Sequence, residues 1–434
     1  MREMKDSGID YIGQIPSDWS LTKIKFCADI FGRIGFRGYT ERDLVDYEED
    51  GAITLSPSNF HDMKMDYNKL SYLSWHKYYE SPEIMIQHGD ILLVKTGSTY
   101  GKAVYVTDLP KEATINPQLI VFKNLIVDNK LFCYILQTKM IKIQEELAVV
   151  GGTIPTMSQE KIYNFIIPQI PLSEQQAISA YLDKKCSEID SLTADIQKQI
   201  ETLEEYKRSV ITEAVTKGLD PDVEMRDSGV QWVGDIPAHW ITHPLYFYFG
   251  ERKNKNALGL ETNLLSLSYG KIIRKDINSN GGLLPESFNT YNIIEKDDII
   301  IRPTDLQNDK RSLRTGISRE HGIITSAYIA MKAQKTVNPE YFHYLLHAYD
   351  VMKVFYNMGN GVRQGLNFSE FSRLMVFEPT IEEQNAIVAY LKEKCDEIDL
   401  AIAEKKQQIE TIEEYKKSLI FEYVTGKKEV PIWK

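Results

Sequence analysis

A chain of 434 residues is too long for one ordinary domain and suits about two to four. Its 43% hydrophobic and 26% charged residues are those of a soluble globular protein, and no run of about 18 apolar residues offers a membrane span. A net charge of −11 excludes a basic arm that coats phosphates by charge alone: residues 1–171, 172–217, 218–380 and 381–434 carry −4, −3, −1 and −3. If the protein binds nucleic acid, it does so through local basic loops, with a partner supplying much of the phosphate contact.

The first segment opens with DSGIDYIGQIPSDW (6–19). The preceding residues lack the apolar core of a secretory signal, and the four cysteines (Cys27, Cys133, Cys186, Cys395) form no CxxC pair. Neither a disulfide framework nor structural zinc is expected, and a reduced cytoplasm is. Strands are predicted over 52–57, 90–97, 103–108 and 119–124, followed by a helix over 130–147. The stretch GRIGFRGYT (32–40) places Arg33 and Arg37 on a glycine-rich loop. In GDILLVKTGSTYGK (89–102) a strand–turn–strand gathers Lys95, Thr96, Ser98, Tyr100 and Lys102. Glycine lets backbone approach a phosphate, and lysine and hydroxyls supply donors to phosphates and base edges. GGTIPTMS (151–158) is a further candidate tip.

After Pro171 a long helix is predicted over 172–217. Leu182, Ile189, Ile196, Leu203 and Val210 recur every seventh residue, with Leu192 and Tyr206 as intermediate seam positions, a coiled-coil pattern. About 40 residues make a rod on the order of 60 Å long.

The chain then starts again. DSGVQWVGDIPAHW (227–240) repeats the opening, and EQQAISAYLDKKCSEID (174–190) returns as EQNAIVAYLKEKCDEID (383–399). QIETLEEYKRSVITEAVT (199–216) returns as QIETIEEYKKSLIFEYVT (408–425). Two constant helices therefore alternate with two modules, 1–171 and 218–380, which share no comparable similarity over about 20–171 and 241–380. In the second helix, over 381–434, Leu391, Ile398, Ile412 and Leu419 keep the register, and Lys405 interrupts it where Ile196 stands in the first copy. Two matching helices in one chain pair most readily with each other, so an internal antiparallel pair is expected to hold the modules apart.

The second module offers strands over 263–274, 297–303 and 326–333 and a helix over 339–356, the same β-then-α order as the first. Its basic residues cluster as Arg252, Lys253 and Lys255, then Lys271, Arg274 and Lys275. Arg302, Lys310, Arg311 and Arg314 follow, with Arg363 and Gln364 on a glycine-flanked loop. Arginine suits bidentate contact with guanine, and glutamine with adenine. Trp19 and Trp240 each close an IPxxW segment and read as packing anchors, and Cys186 and Cys395 as small buried seam residues.

Catalytic signatures are missing. There is no GxxxxGK[ST] phosphate loop, no GxGxxG, no HExxH and no His/Cys cluster with metal spacing. Asn116-Pro117 is followed by Gln118 where an adenine methyltransferase motif would need a second proline and an aromatic. A coiled-coil scaffold carrying two peptide-binding domains, and an enzyme with degenerate motifs, stay open at this point.

The DSGI…IPxxW openings, the EQQAI…ETLEEYK helices and the GDILLVKTGSTYGK pair together resemble type I restriction-modification specificity subunits, over essentially the whole chain. The resemblance implies an α+β chain with pseudo-two-fold symmetry, in which two mixed α/β target-recognition domains are separated by the antiparallel helices. Each domain would read one half of a split DNA site, and the helices would set the unread gap and dock two adenine methyltransferase subunits. It also implies that the chain has no metal, cofactor or catalytic residue of its own. S-adenosylmethionine, ATP and magnesium would belong to those subunits and to an added translocating endonuclease. In the second module DDIIIRPTDLQ departs from the GDILLVKTG pattern.

Overall fold

The computed structural model describes residues 2–48, 51–61, 64–150, 152, 154–277, 285, 287–304, 306, 313–356, 358 and 365–431, with the side chain of Phe36 set aside. Four expected DNA-facing residues, Lys310, Arg311, Arg363 and Gln364, lie outside this set. The chain divides into two units, Met1–Ile196 with Gln407–Lys434, and Gln197–Lys406. Both boundaries fall inside the long helices Leu172–Lys217 and Ile381–Val424, so each unit is one module plus part of each helix.

The helices pair antiparallel in each unit. In the first, Tyr181 packs on Tyr423 with ring centroids 4.6 Å apart, and Lys416 binds Asp190. In the second, Lys207 lies 2.6 Å from Asp399, and Lys405 donates to Gln199 at 2.5 Å. Residue numbers rise along one helix as they fall along the other. A shift of 209 residues carries Asp190 to Asp399 and Lys207 to Lys416, so one ion pair is built twice.

The seven-residue row lies on the seam. Leu182, Ile196, Val210, Leu391, Ile398 and Leu419 are buried, and Ile189, Leu203 and Ile412 half-buried. The expected intermediate row is wrong: Leu192 is 49% and Tyr206 54% exposed. The second row lies four residues on from the first, at Cys186, Ile200 and Ala214 and at Cys395 and Ile402. Four residues overshoot a helical turn by about 40° whereas three fall short by about 60°, so the +4 row is the closer neighbour of the first. Lys405 interrupts nothing, because Ile200 and Ile402 fill the seam while its amine reaches Gln199.

Each module rests on a four-stranded antiparallel sheet with one order of strands. In the first unit the order is Ala103–Tyr105, Ile91–Val94, Leu119–Lys123, Asp29–Gly32. In the second it is Thr315–Ile317, Ile299–Ile301, Ile329–Ala333, Phe249–Glu251. DDIIIRP is therefore the counterpart of GDILLVKTG, despite its changed sequence. Asp90 and Asp298 show why: each accepts the backbone N–H three residues before it, Gln87 and Glu295, at 2.8 Å. The helix expected over 130–147 is two helices, Asn129–Leu136 and Lys139–Ala148. The strand expected over 263–274 is a hairpin, Leu265–Ser268 and Lys271–Arg274, turning at Tyr269-Gly270.

The IPxxW segments are packing anchors. Trp19 and Trp240 are each 1% exposed, and their indole N–H groups donate to Glu174 (3.2 Å) and Glu383 (3.4 Å) at the start of a long helix. The same rings meet the glycine that ends the other helix. Gly426 (φ +68°) lies against Pro16 and Trp19, and Gly218 (φ +77°) against Pro237 and Trp240. Left-handed backbone at a helix end favours glycine, and at Gly426 a Cβ would also strike Pro16.

Candidate nucleic-acid interface

At one end of the first sheet, several loops are stapled together by backbone. Lys95 takes a hydrogen bond from Met157 N–H (2.9 Å) and gives its own to Gln118 (2.8 Å), and Gly97 N–H donates to Pro155 (3.0 Å). The segment 95–102, which carries Lys95, Thr96, Ser98 and Lys102, is thus fixed against 116–118 and 154–157. Ser98 and Lys102 are exposed, while Lys95 is half-buried and burial holds its ammonium pKa down. Tyr100 leans on the core beneath the Lys142 ammonium, 4.3 Å from its ring centre.

Gly101 (φ +82°) closes this loop over Glu145 of the Lys139–Ala148 helix, and a Cβ there would lie 2.1 Å from a carboxylate oxygen. Glu145 is 1% exposed, one of its oxygens has no hydrogen-bond partner, and burial pushes its carboxyl up to about 7. Sequence reading missed this residue. Its i, i+3 spacing from Lys142 looks like an ordinary surface pair, and only the tertiary fold shows that it faces inward.

The corresponding end of the second sheet is built alike. Leu366 N–H donates to Pro303 (3.0 Å), as Met157 does to Lys95, and Arg302 N–H donates to Arg314 (2.8 Å) across the strands. The hairpin tip at Tyr269-Gly270 joins this end, for Leu313 and the Thr315 carbonyl lie 3.1 and 3.7 Å from where a Gly270 Cβ would sit. Lys253, Lys255, Lys271, Arg274 and Lys275 are exposed. Of these, Lys253 pairs with Glu251 (2.8 Å), Lys255 donates to the Thr290 carbonyl (2.9 Å) and Arg274 binds Glu320. Lys271 and Lys275 have no side-chain partner among the described residues.

Three expected contacts turn inward. Arg314 is 0% exposed: its Nε donates to the Tyr356 hydroxyl (3.0 Å), its guanidinium also reaches the Thr304 carbonyl, and its backbone N–H binds Asp350. Arg33 is 6% exposed and ties the first sheet to its neighbour through Thr114 (3.0 Å) and the Ile115 carbonyl (3.1 Å). Arg252 is held by the buried Asp298. An arginine among hydrophobic strands must satisfy its donors within the protein, so these three build the loops rather than present them. Arg37 stays partly exposed beside Glu83, and Arg302 is half-buried. Among the described residues no three His, Cys, Asp or Glu side chains are grouped to hold a metal.

Residues 50–202 match the family described as the type I restriction modification DNA specificity domain. The chain is 25% identical over 427 residues to the type I restriction enzyme MjaX specificity subunit of Methanocaldococcus jannaschii, covering 96% of this chain and 95% of that one. It is 24% identical over 434 residues to the MjaVIII specificity subunit of the same organism, covering 95% and 94%. Its fold is that of a chain solved in work on complex assembly and conformational transition of the type I R-M system, with a TM-score of 0.67 at 14% identity and 95% and 99% coverage. The DNA specificity domain match falls on the first module and the start of the first long helix, while the likenesses in sequence and fold span both modules. Over nearly its whole length the chain is similar to type I restriction enzyme specificity subunits.

Proposed function

We propose that each unit reads one half of a bipartite, asymmetric duplex DNA sequence through the loop end of its four-stranded sheet, residues 1–171 and 218–380 acting as the two target-recognition domains. The observation that carries this reading is the repeated staple, Met157 on Lys95 and Leu366 on Pro303, which gathers variable loops at equivalent ends of two sheets. The scaffold is kept while the side chains on it change, as two half-sites of different sequence require. The paired helices fix the length of the unread gap and dock two adenine methyltransferase subunits, with a translocating endonuclease joining that core. Base readout falls to this chain. Methyl transfer, ATP hydrolysis and cleavage, with S-adenosylmethionine and magnesium, fall to the partners. The net charge of −11 fits this division, because the partners neutralise the phosphates flanking each half-site.

The test is to purify the chain with the adenine methyltransferase encoded beside it and map methylated adenines on genomic DNA. A split motif that disappears without this chain is expected; methylation independent of the chain overturns the reading. Inserting one heptad into 192–206 and a matching one into 401–415 lengthens the paired helices by about 10 Å, roughly three base pairs. The gap should lengthen with both half-sequences unchanged, and exchanging residues 20–171 should alter one half only.

A further inference from the structure

We propose that Tyr269 is a base-stacking probe of the second recognition domain, a ring that lies against a nucleobase of the bound duplex; this rests on the DNA-reading function proposed above. Three observations converge on it. The hairpin register pairs Ser268 with Lys271, which leaves Tyr269 and Gly270 as a two-residue turn, both with positive φ (+46° and +78°). Such turns are ordinarily made by Asn-Gly or Gly-Gly, and a bulky side chain in left-handed backbone is held there at a cost. Residues kept in unfavourable backbone without a structural return cluster at functional sites.

The structural return is absent. Tyr269 is 84% exposed, and among the described residues its ring and hydroxyl have no hydrogen bond, ion pair or aromatic neighbour. The hairpin is anchored without it by Leu265 and Leu267, both buried, and by Ile272. Gly270 pins the tip beside Leu313 and Thr315, at the sheet end that carries Arg302 and the Pro303–Leu366 staple. Lys271, two residues on and without a side-chain partner among the described residues, and Lys275 lie on the same hairpin. An exposed aromatic on a hairpin that also carries two lysines suits a duplex opened at one step, since the amines take phosphate while the ring takes the base face that unstacking or flipping exposes.

The test uses the full chain with its methyltransferase and a duplex carrying the mapped motif. Tyr269→Asn is compared with Tyr269→Phe and wild type by duplex affinity, by thermal midpoint, and by fluorescence of 2-aminopurine placed at each position of the half-site assigned to residues 218–380. Tyr269→Asn should weaken binding about tenfold without lowering the midpoint, because Asn suits the turn, and should change fluorescence in that half-site only. Tyr269→Phe should stay within about twofold of wild type. Wild-type binding matched by Tyr269→Asn overturns the probe and leaves the DNA-reading function standing. A Phe variant as weak as Asn overturns stacking in favour of the hydroxyl, and a lowered midpoint for Asn shows a packing role instead. A wild-type complex that binds no duplex overturns the reading beneath.

Discussion

Lys130 meets Asp183 at 2.6 Å in the first unit, and the equivalent pair in the second, Glu340 with Lys392 at 2.5 Å, is the same contact with the charges exchanged. Each pair joins the first turn of a module helix, Asn129–Leu136 or Pro339–Val351, to the long helix beneath it. A module seated on the other helix would set Lys130 against Lys392, or Glu340 against Asp183. The long-helix side of both interfaces is repeated sequence, so this reversal helps each module to distinguish its own helix.

That discrimination is measurable. Lys130→Glu should destabilise the first unit by about 0.5–1 kcal/mol, the range for a partly exposed pair made repulsive. Adding Asp183→Lys should recover only part of the loss, because the Tyr134 hydroxyl also donates to Asp183 (2.9 Å). A double-mutant cycle in urea reads the coupling, and strict additivity would remove the ion pair from the account.

The helix seam predicts a contrast between two residues six positions apart. Ile200→Ala should cost about 2–4 kcal/mol, as loss of a buried aliphatic group does, because Ile200 is only 2% exposed. Tyr206→Ala, at 54% exposure, should stay within about 0.5 kcal/mol. Equal losses in denaturant titrations would return the seam to the +3 row.

Glu145 makes stability depend on pH with a definite sign. Its folded-state pKa of about 7 lies above the ordinary 4.5, so the folded form retains a proton that the unfolded chain gives up as pH rises between those values. Stability is therefore complete below about pH 4.5 and falls towards pH 7, where the loss reaches at most about 3 kcal/mol. Glu145→Gln should be more stable than wild type at pH 7.5 and indistinguishable from it near pH 4.5. Unfolding midpoints across that range check this, and a constant offset would place the ionisation elsewhere.

Gly426→Ala should cost about 2 kcal/mol or more. Its Cβ would fall 2.4 Å from Pro16 in left-handed backbone, whereas Gly8→Ala, with open space around it, should cost about 1 kcal/mol. Calorimetric midpoints of the two variants separate the clash from the backbone term common to both.

The duplication, the helix pairing and the seven-residue row were legible because they are periodic and the sequence states them twice. Leu192 and Tyr206 misled because local spacing does not say on which side of a row the partner helix lies. Arg33 and Arg314 misled for a related reason. Glycine-framed arginines look like reading loops, but burial is decided by strands distant in sequence, Ala113–Ile115 for Arg33 and the helix around Asp350 for Arg314. Tyr269 was hidden inside what read as one long strand, since Tyr-Gly is an uncommon way to write a tight turn.

The boundary between the units has a consequence for the order of synthesis. The core around Trp19 and Leu182 is closed by Leu419, Ile420, Phe421, Tyr423 and Val424, which are synthesised only after the whole second module. The second core draws its share of helix from Val210–Val215 and Ile387–Cys395, all made earlier. The earlier of the two modules is therefore the later to be closed, and it waits, partly unclosed, through the birth of its twin. A nonsense codon near position 407 would cripple the amino-terminal module while leaving the other's core whole.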